Sequence, residues 1–249
     1  MESKILSSQE LRRYAPQMIL PEIGFEGQEK LKKAKVLVIG AGGLGSPVLQ
    51  YLAAAGVGNI GIIDNEMVDE SNLQRQVLYG GKDVGKLKTI IARQRIQELN
   101  ELINVQIINL RMNDENSQQI IKDFDLIVDA TDNLESRCLI NHACMVLNKP
   151  WIYGAIYKYE GQVSVFNFKE GPVYTDAFPV TAQEPESDTE TNNPKGILGV
   201  LPGIVGTIQA AEAIKIITGA GTTLSGKILV LDILQPMTYI IEIQKNTRN

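Results

Sequence analysis

Val36-Leu37-Val38-Ile39-Gly40-Ala41-Gly42-Gly43-Leu44-Gly45 is a short apolar run that empties into a glycine-rich turn, and Asp64 stands at the end of the next apolar run. Four branched aliphatic residues in a row suit a strand buried on both faces of a parallel sheet. Glycines after such a strand let the chain turn tightly and bring backbone N–H groups close to a phosphate at the start of the following helix. Gly40, Gly42, Gly43 and Gly45 therefore read as a phosphate-binding turn, against the plainer alternative of a tight strand-to-helix connection. Asp64 is placed to hold a ribose; the plainer alternative for it, as for Glu66 and Asp69, is a turn residue or helix cap.

Outward from this turn, apolar spacing and turn residues predict strands over 35–39, 59–63, 104–108 and 126–128, with helices over 44–55, 86–99, 115–121 and on to Leu147. The alternation gives an α/β, Rossmann-like doubly wound sheet, mainly parallel. Upstream, Ser7 and Glu10 form a capping box for a first helix that Pro16 is expected to end or bend, and a second helix covers 27–33. Downstream, 151–156 and 162–168 flank Lys158-Tyr159-Glu160-Gly161 as a hairpin, so the C-terminal part is an antiparallel extension. Residues 176–196 read as a mobile, acidic crossover loop. Pro202 opens an apolar helix through Thr218, closed by Gly219 and read as too short and polar to span a membrane; strands over 227–233 and 238–243 follow. The whole of 1–249 is expected to be one domain: N-terminal helices in 1–33, a nucleotide-binding half in 34–150 and the extension in 151–249.

Composition narrows the partners. With 44% hydrophobic residues the chain can bury a core without covalent staples, and a net charge of −5 without a lysine-rich run argues against nucleic acid or a membrane surface. Cys138 and Cys144, six apart in one predicted helix, lie about 240° from each other around its axis and should not pair. No apolar stretch near 18 residues is evident, and the start Met-Glu-Ser-Lys-Ile-Leu-Ser-Ser lacks the apolar segment of a signal peptide, so a cytoplasmic location is expected.

The glycine turn and Asp64 would serve an NAD-dependent oxidoreductase equally well; the downstream residues point to triphosphate chemistry instead. They are Ser71-Asn72-Leu73-Gln74-Arg75-Gln76, Lys88, and Asp129-Ala130-Thr131-Asp132-Asn133. When a carboxylate attacks the α-phosphate of ATP, negative charge builds along the leaving pyrophosphate, and fixed cations such as Arg75 and Lys88 stabilise it. The plainer reading makes Arg75 a surface arginine and Lys88 part of a solvated helix face with Lys86, Arg93 and Arg95. Mg²⁺ takes oxygen ligands, and Asp132, at the C-terminal end of its strand, is the candidate. Asp129 either joins it on the metal or satisfies backbone N–H groups. His142, the only histidine, is one turn from Cys138; two such groups cannot make a zinc site, and neighbours Leu139, Ile140 and Val146 favour a packed helix face.

These segments resemble the family of ubiquitin-activating-like adenylyltransferases that includes the bacterial ThiF and MoeB enzymes of thiamine and molybdopterin biosynthesis. The resemblance runs through Gly-Gln-Glu-Lys-Leu at 27–31, Gly-Ala-Gly-Gly-Leu-Gly at 40–45, Ala-Ala-Gly-Val-Gly at 54–58, Ser-Asn-Leu-Gln-Arg-Gln at 71–76, Ala-Thr-Asp-Asn at 130–133 and Gly-Val-Leu-Pro-Gly-Ile-Val-Gly at 199–206. It implies an ATP- and Mg²⁺-dependent homodimer that forms an acyl adenylate on the C-terminal glycine of a small ubiquitin-like sulfur carrier ending in Gly-Gly, similar to ThiS or MoaD. By position it assigns Gly43 to phosphate, Asp64 to ribose, Ser71, Asn72, Leu73, Gln74, Arg75 and Lys88 to the triphosphate, and Asp132 with Asn133 to magnesium and nucleotide.

Three positions depart from the family pattern. Pro172-Val173-Tyr174-Thr175-Asp176-Ala177 stands where members commonly carry Cys-x-x-Cys, and the C-terminal region has no cysteine, so no structural zinc is expected. Asn192 stands where many carry a crossover-loop cysteine, which argues against a thioester on this chain. Pro16 replaces the arginine that in relatives reaches the neighbouring subunit's ATP, leaving Arg12 and Arg13 nearby. These departures keep two alternatives open: adenylation of a peptide or small carboxylic acid, and a catalytically weak partner subunit.

Overall fold

The computed structural model describes residues 5–179 and 196–245. Its elements are α1 (Ser8–Met18), α2 (Gly24–Lys33), β1 (Lys35–Ile39), α3 (Gly45–Ala55), β2 (Asn59–Ile63), α4 (Lys88–Leu99), β3 (Asn104–Ile108), α5 (Ser117–Ile121), β4 (Leu126–Asp129), α6 (Leu134–Val146), β5 (Trp151–Tyr157), β6 (Glu160–Phe166), α7 (Tyr174–Ala177), α8 (Val200–Thr218), β7 (Lys227–Asp232) and β8 (Met237–Glu242). All eight strands join one sheet in the order β3-β2-β1-β4-β5-β6-β7-β8. The first five run parallel and the last three antiparallel, which is the mixed α/β architecture expected.

Side chains alternate across a strand, and both faces of the parallel part are covered. Val36 and Val38 of β1 pack with Leu49 and Leu52 of α3, Ile91 and Ile96 of α4, and Leu201 and Val205 of α8. Leu37 and Ile39 face the other layer, with Ile121 of α5 and Ile140 and Cys144 of α6. The chain leaves β1 toward β2 on one side and returns as β4 on the other, so a crevice opens between the carboxyl ends of β1 and β4. Open α/β sheets bind ligands at such switch points.

Four sequence expectations change. The helix α1 has its capping box at Ser7 and Glu10, yet it runs through Pro16 to Met18. Tertiary anchors hold it there: Asn100 Nδ2 donates to Tyr14 Oη at 2.8 Å, and Gln17 Nε2 donates to the Ala55 carbonyl at 2.9 Å. The helix α8 is 19 residues and apolar enough to cross a bilayer by length and composition, contrary to the sequence estimate. Here it packs on α2, α3, β5 and β6, with buried Gln209 donating to the Asp129 carbonyl at 2.6 Å and buried Glu212 accepting from Leu224 N at 2.8 Å. His142 lies on the exposed side of α6, as does Val146, so the packed face is formed by Leu139 and Ile140 with Ala143 and Cys144 and without Val146. The start of the crossover segment is helical, within α7; residues 180–195, including Asn192, lie outside the described residues. Among the described residues no disulfide joins Cys138 to Cys144.

Candidate active site

Backbone geometry builds the glycine turn. Gly40 has φ 97°, and a Cβ there would lie 2.5 Å from the Ala130 carbonyl oxygen; a Cβ on Gly45 would lie 2.1 Å from the Gly40 oxygen. These two glycines are required by the close approach of β1, β4 and α3. Gly40 N donates to the Ile63 carbonyl at 2.8 Å, and Asp64 completes the brace: Oδ2 accepts from Ala41 N at 2.8 Å and Oδ1 from Glu66 N at 2.7 Å.

The turn forms one wall of a cleft of about 440 Å³. Eight of the sequence-predicted residues line it: Gly40, Gly42, Gly43, Asp64, Arg75, Lys88, Asp132 and Asn133. Gly45 is internal to the turn. Ser71, Asn72, Leu73 and Gln74 stand outside the lining, for local reasons. Ser71 donates both N–H and Oγ–H to Asp69 Oδ1, at 2.8 and 2.5 Å, which with a weaker pull from Lys88 holds the Asp69 carboxyl below its usual range. Asn72 accepts backbone bonds from Arg75 and Gln76, Leu73 packs on the core, and Gln74 abuts Gly199. The 3₁₀ turn Glu70–Asn72 and the two residues after it form a platform that brings Arg75 and Gln76 to the cleft wall.

The cations differ in their partners. Lys88, first residue of α4, is buried and not on a solvated face; its Nζ sits 2.5 Å from Glu66 Oε2. Arg93 is exposed, while Arg95 and Lys86 pair with Asp83. Arg75 donates to the Ser71 carbonyl at 3.1 Å and has no carboxylate partner among the described residues, which leaves its charge available to an anion in the cleft.

At the end of β4, buried Asp129 stays out of the cleft. Its Oδ1 accepts from Thr131 N and Oγ1 at 2.9 and 2.6 Å, and Oδ2 lies 3.4 Å from Arg137 Nε. Burial pushes this carboxyl up, opposed by Arg137 and Thr131. The two readings of Asp129 thus separate: it satisfies the strand-end N–H and balances Arg137, and of these two aspartates it is exposed Asp132 that lines the cleft. Asn133 caps α6 through Oδ1, which accepts from Ser136 N at 2.9 Å, and its Nδ2 donates to Asp132 Oδ1 at 3.3 Å.

Sequence reasoning missed Arg111 and Arg137, both in the lining. Arg137 stacks over the Tyr153 ring at 5.3 Å and lies one turn inside α6, on the side that Asn133 turns toward the cleft. Arg111 follows the carboxyl end of β3 and pairs with Glu135 at 2.8 Å across the cleft rim. Strand-end position and helical spacing were the available signals. Buried Gln76, with Oε1 lacking a hydrogen-bond partner among the described residues, also lines the wall beside Gly42.

The ThiF family model matches residues 14–249. The chain belongs to the ThiF family. It is 52% identical over 223 residues to a probable molybdopterin-synthase adenylyltransferase of Porphyra purpurea, covering 90% of this chain and 58% of that protein. It is 45% identical over 247 residues to the sulfur carrier protein adenylyltransferase of Thermus thermophilus, covering 97% and 90%. A crystal structure of E. coli MccB with ATP superposes with a TM-score of 0.80 at 25% identity, covering 89% of this chain and 67% of that one.

Proposed function

We propose that this ThiF-family chain is an ATP-dependent adenylyltransferase that activates the C-terminal glycine carboxylate of a small ubiquitin-like sulfur carrier. The observation that carries the reading is the convergence of Arg75, Lys88 and Asp132 on the cleft behind the glycine turn. The names of the relatives in Porphyra and Thermus support the same class of reaction.

In this reading a carboxylate oxygen of the carrier attacks the α-phosphorus of ATP, the bond from that phosphorus to the bridging β-oxygen breaks, and pyrophosphate leaves. Arg75 and Lys88 stabilise the charge that develops on the leaving group. Asp64, with lone pairs beyond those used by Ala41 and Glu66, receives the ribose hydroxyls. The donor set suits Mg²⁺ held mainly by phosphate and water: no cluster of three His, Cys, Asp or Glu side chains occurs among the described residues, and Asp132 offers one carboxylate. When bound, the ion neutralises phosphate charge.

We also infer a homodimer. Exposed Ile19, Leu20 and Phe25, close together around the α1–α2 connection, support a subunit contact. Neither Arg12 nor Arg13 lines the cleft; Arg13 donates to the Leu99 carbonyl.

Pyrophosphate exchange into ATP tests the activity. Exchange that appears only with a carrier ending in Gly-Gly is the expected result. Exchange driven by a small acid or peptide would move the substrate to the alternative class, and no exchange with any of them would overturn the reading.

A further inference from the structure

The cation that should meet the triphosphate already has an anion. The Lys88 side chain is 3% exposed, whereas Glu66, whose Oε2 lies 2.5 Å from Nζ, is 67% exposed at the cleft wall. The backbone holds the two together: Lys88 N donates to the Glu66 carbonyl at 3.0 Å, and Met67 pairs with Leu87 in an isolated bridge. Glu66 N is in turn fixed by Asp64 at 2.7 Å. An almost buried ammonium is costly to leave unpaired, so a nearby anion is required whenever the cleft holds no phosphate. Once a phosphate oxygen reaches the same ammonium, phosphate and carboxylate repel each other across it, because both are negative and the site is poorly solvated.

We propose that Glu66 is a positioning residue that competes with phosphate for Lys88. It holds the ammonium in the empty cleft, yields it when ATP binds and takes it back as pyrophosphate leaves. The proton stays on Lys88 throughout and Glu66 forms no covalent bond. The inference rests on the adenylyltransferase reading and adds to it: the carboxylate weakens ATP and pyrophosphate binding alike, and so favours product release.

Glu66→Gln keeps the shape and removes the charge. The expected results are tightening of about threefold or more in both ATP affinity and pyrophosphate inhibition, a magnitude typical of losing one competing ion pair. KM for ATP and kcat should fall together. The ligand-free variant should melt lower than wild type while gaining more from ATP, which a merely structural role would not produce. In a Lys88→Gln background the same substitution should tighten ATP binding much less, since most of the effect acts through that ammonium. Weaker or unchanged ATP binding by Glu66→Gln would overturn the inference, as would equal tightening without Lys88. Failure of the wild-type chain to bind ATP would instead remove the adenylyltransferase reading itself.

Discussion

β1 and β8 belong to one sheet and differ in what surrounds them. Four of five β1 residues are buried, with helices on both faces. All six β8 residues are exposed, Met237, Tyr239, Ile240 and Ile241 among them, and among the described residues the strand pairs only with β7. The difference teaches where precision comes from. A strand packed from both sides has one register and one exit, so the turn after Ile39 can sit so close to β4 that a Cβ on Gly40 would lie 2.5 Å from the Ala130 carbonyl oxygen. An edge strand without a covering layer can carry surface but cannot aim a catalytic group.

Truncating one residue in each strand should break or confirm that contrast most sharply. Leu37→Ala should cost about 2–5 kcal/mol in chemical denaturation, as for other fully buried leucines, whereas Ile241→Ala should stay within about 0.5 kcal/mol. Equal costs would erase the distinction. Next in size are the cleft cations: Arg75→Ala and Lys88→Gln should each lower carrier-dependent pyrophosphate exchange by about 10²–10³-fold, while Tyr239→Ala in β8 leaves ATP affinity unchanged. Gly45→Ala should cost about 2 kcal/mol or more and weaken ATP binding, because its Cβ would meet backbone that cannot rotate away; Gly196→Ala meets no atom within 4 Å and should be silent.

The smallest effect concerns the N-terminal helix. Ser7→Ala removes one arm of the capping box and should cost about 1 kcal/mol. Burial raises the Glu10 carboxyl, but hydrogen bonds from Lys32 and Ser7 outweigh it and hold the group below its ordinary range. A carboxyl depressed in the folded state adds stability above its unfolded pKa of about 4.3, and that contribution disappears as pH falls through the folded value. Glu10→Gln should therefore flatten the acid limb of the melting temperature against pH.

The same contrast explains what could be read from residues alone. The run 36–39 and the glycines are local signals, and the structure places the strand and the turn where they predict; the brace that Asp64 gives Ala41 N is not among the expectations. The hairpin and the antiparallel end also follow from local spacing, although the turn is tighter, with β6 starting at Glu160. What escaped depends on tertiary partners. Lys88 is legible as a cleft cation, but its partner is not: Glu66 reaches it only once the loop carrying Glu66 folds over it. Arg137 goes unassigned, because its place at the cleft depends on Asp129 and Tyr153 closing around it. Pro16 reads as a helix stop until contacts from Asn100 and Ala55 hold the segment helical on both sides. The helix α8 hides its polar groups, Gln209 and Glu212, by pairing them inside the protein, which composition alone could not anticipate.

The central claim is that Arg75, Lys88 and Asp132 grip a polyphosphate against the glycine turn, and calorimetric titration with ATP and Mg²⁺ tests it most directly. The account predicts saturable binding to the wild-type chain, weakened at least about tenfold in Arg75→Ala and dependent on magnesium through Asp132. Binding that is absent in the wild type, or indifferent to Arg75→Ala and to Asp132→Asn, would contradict it.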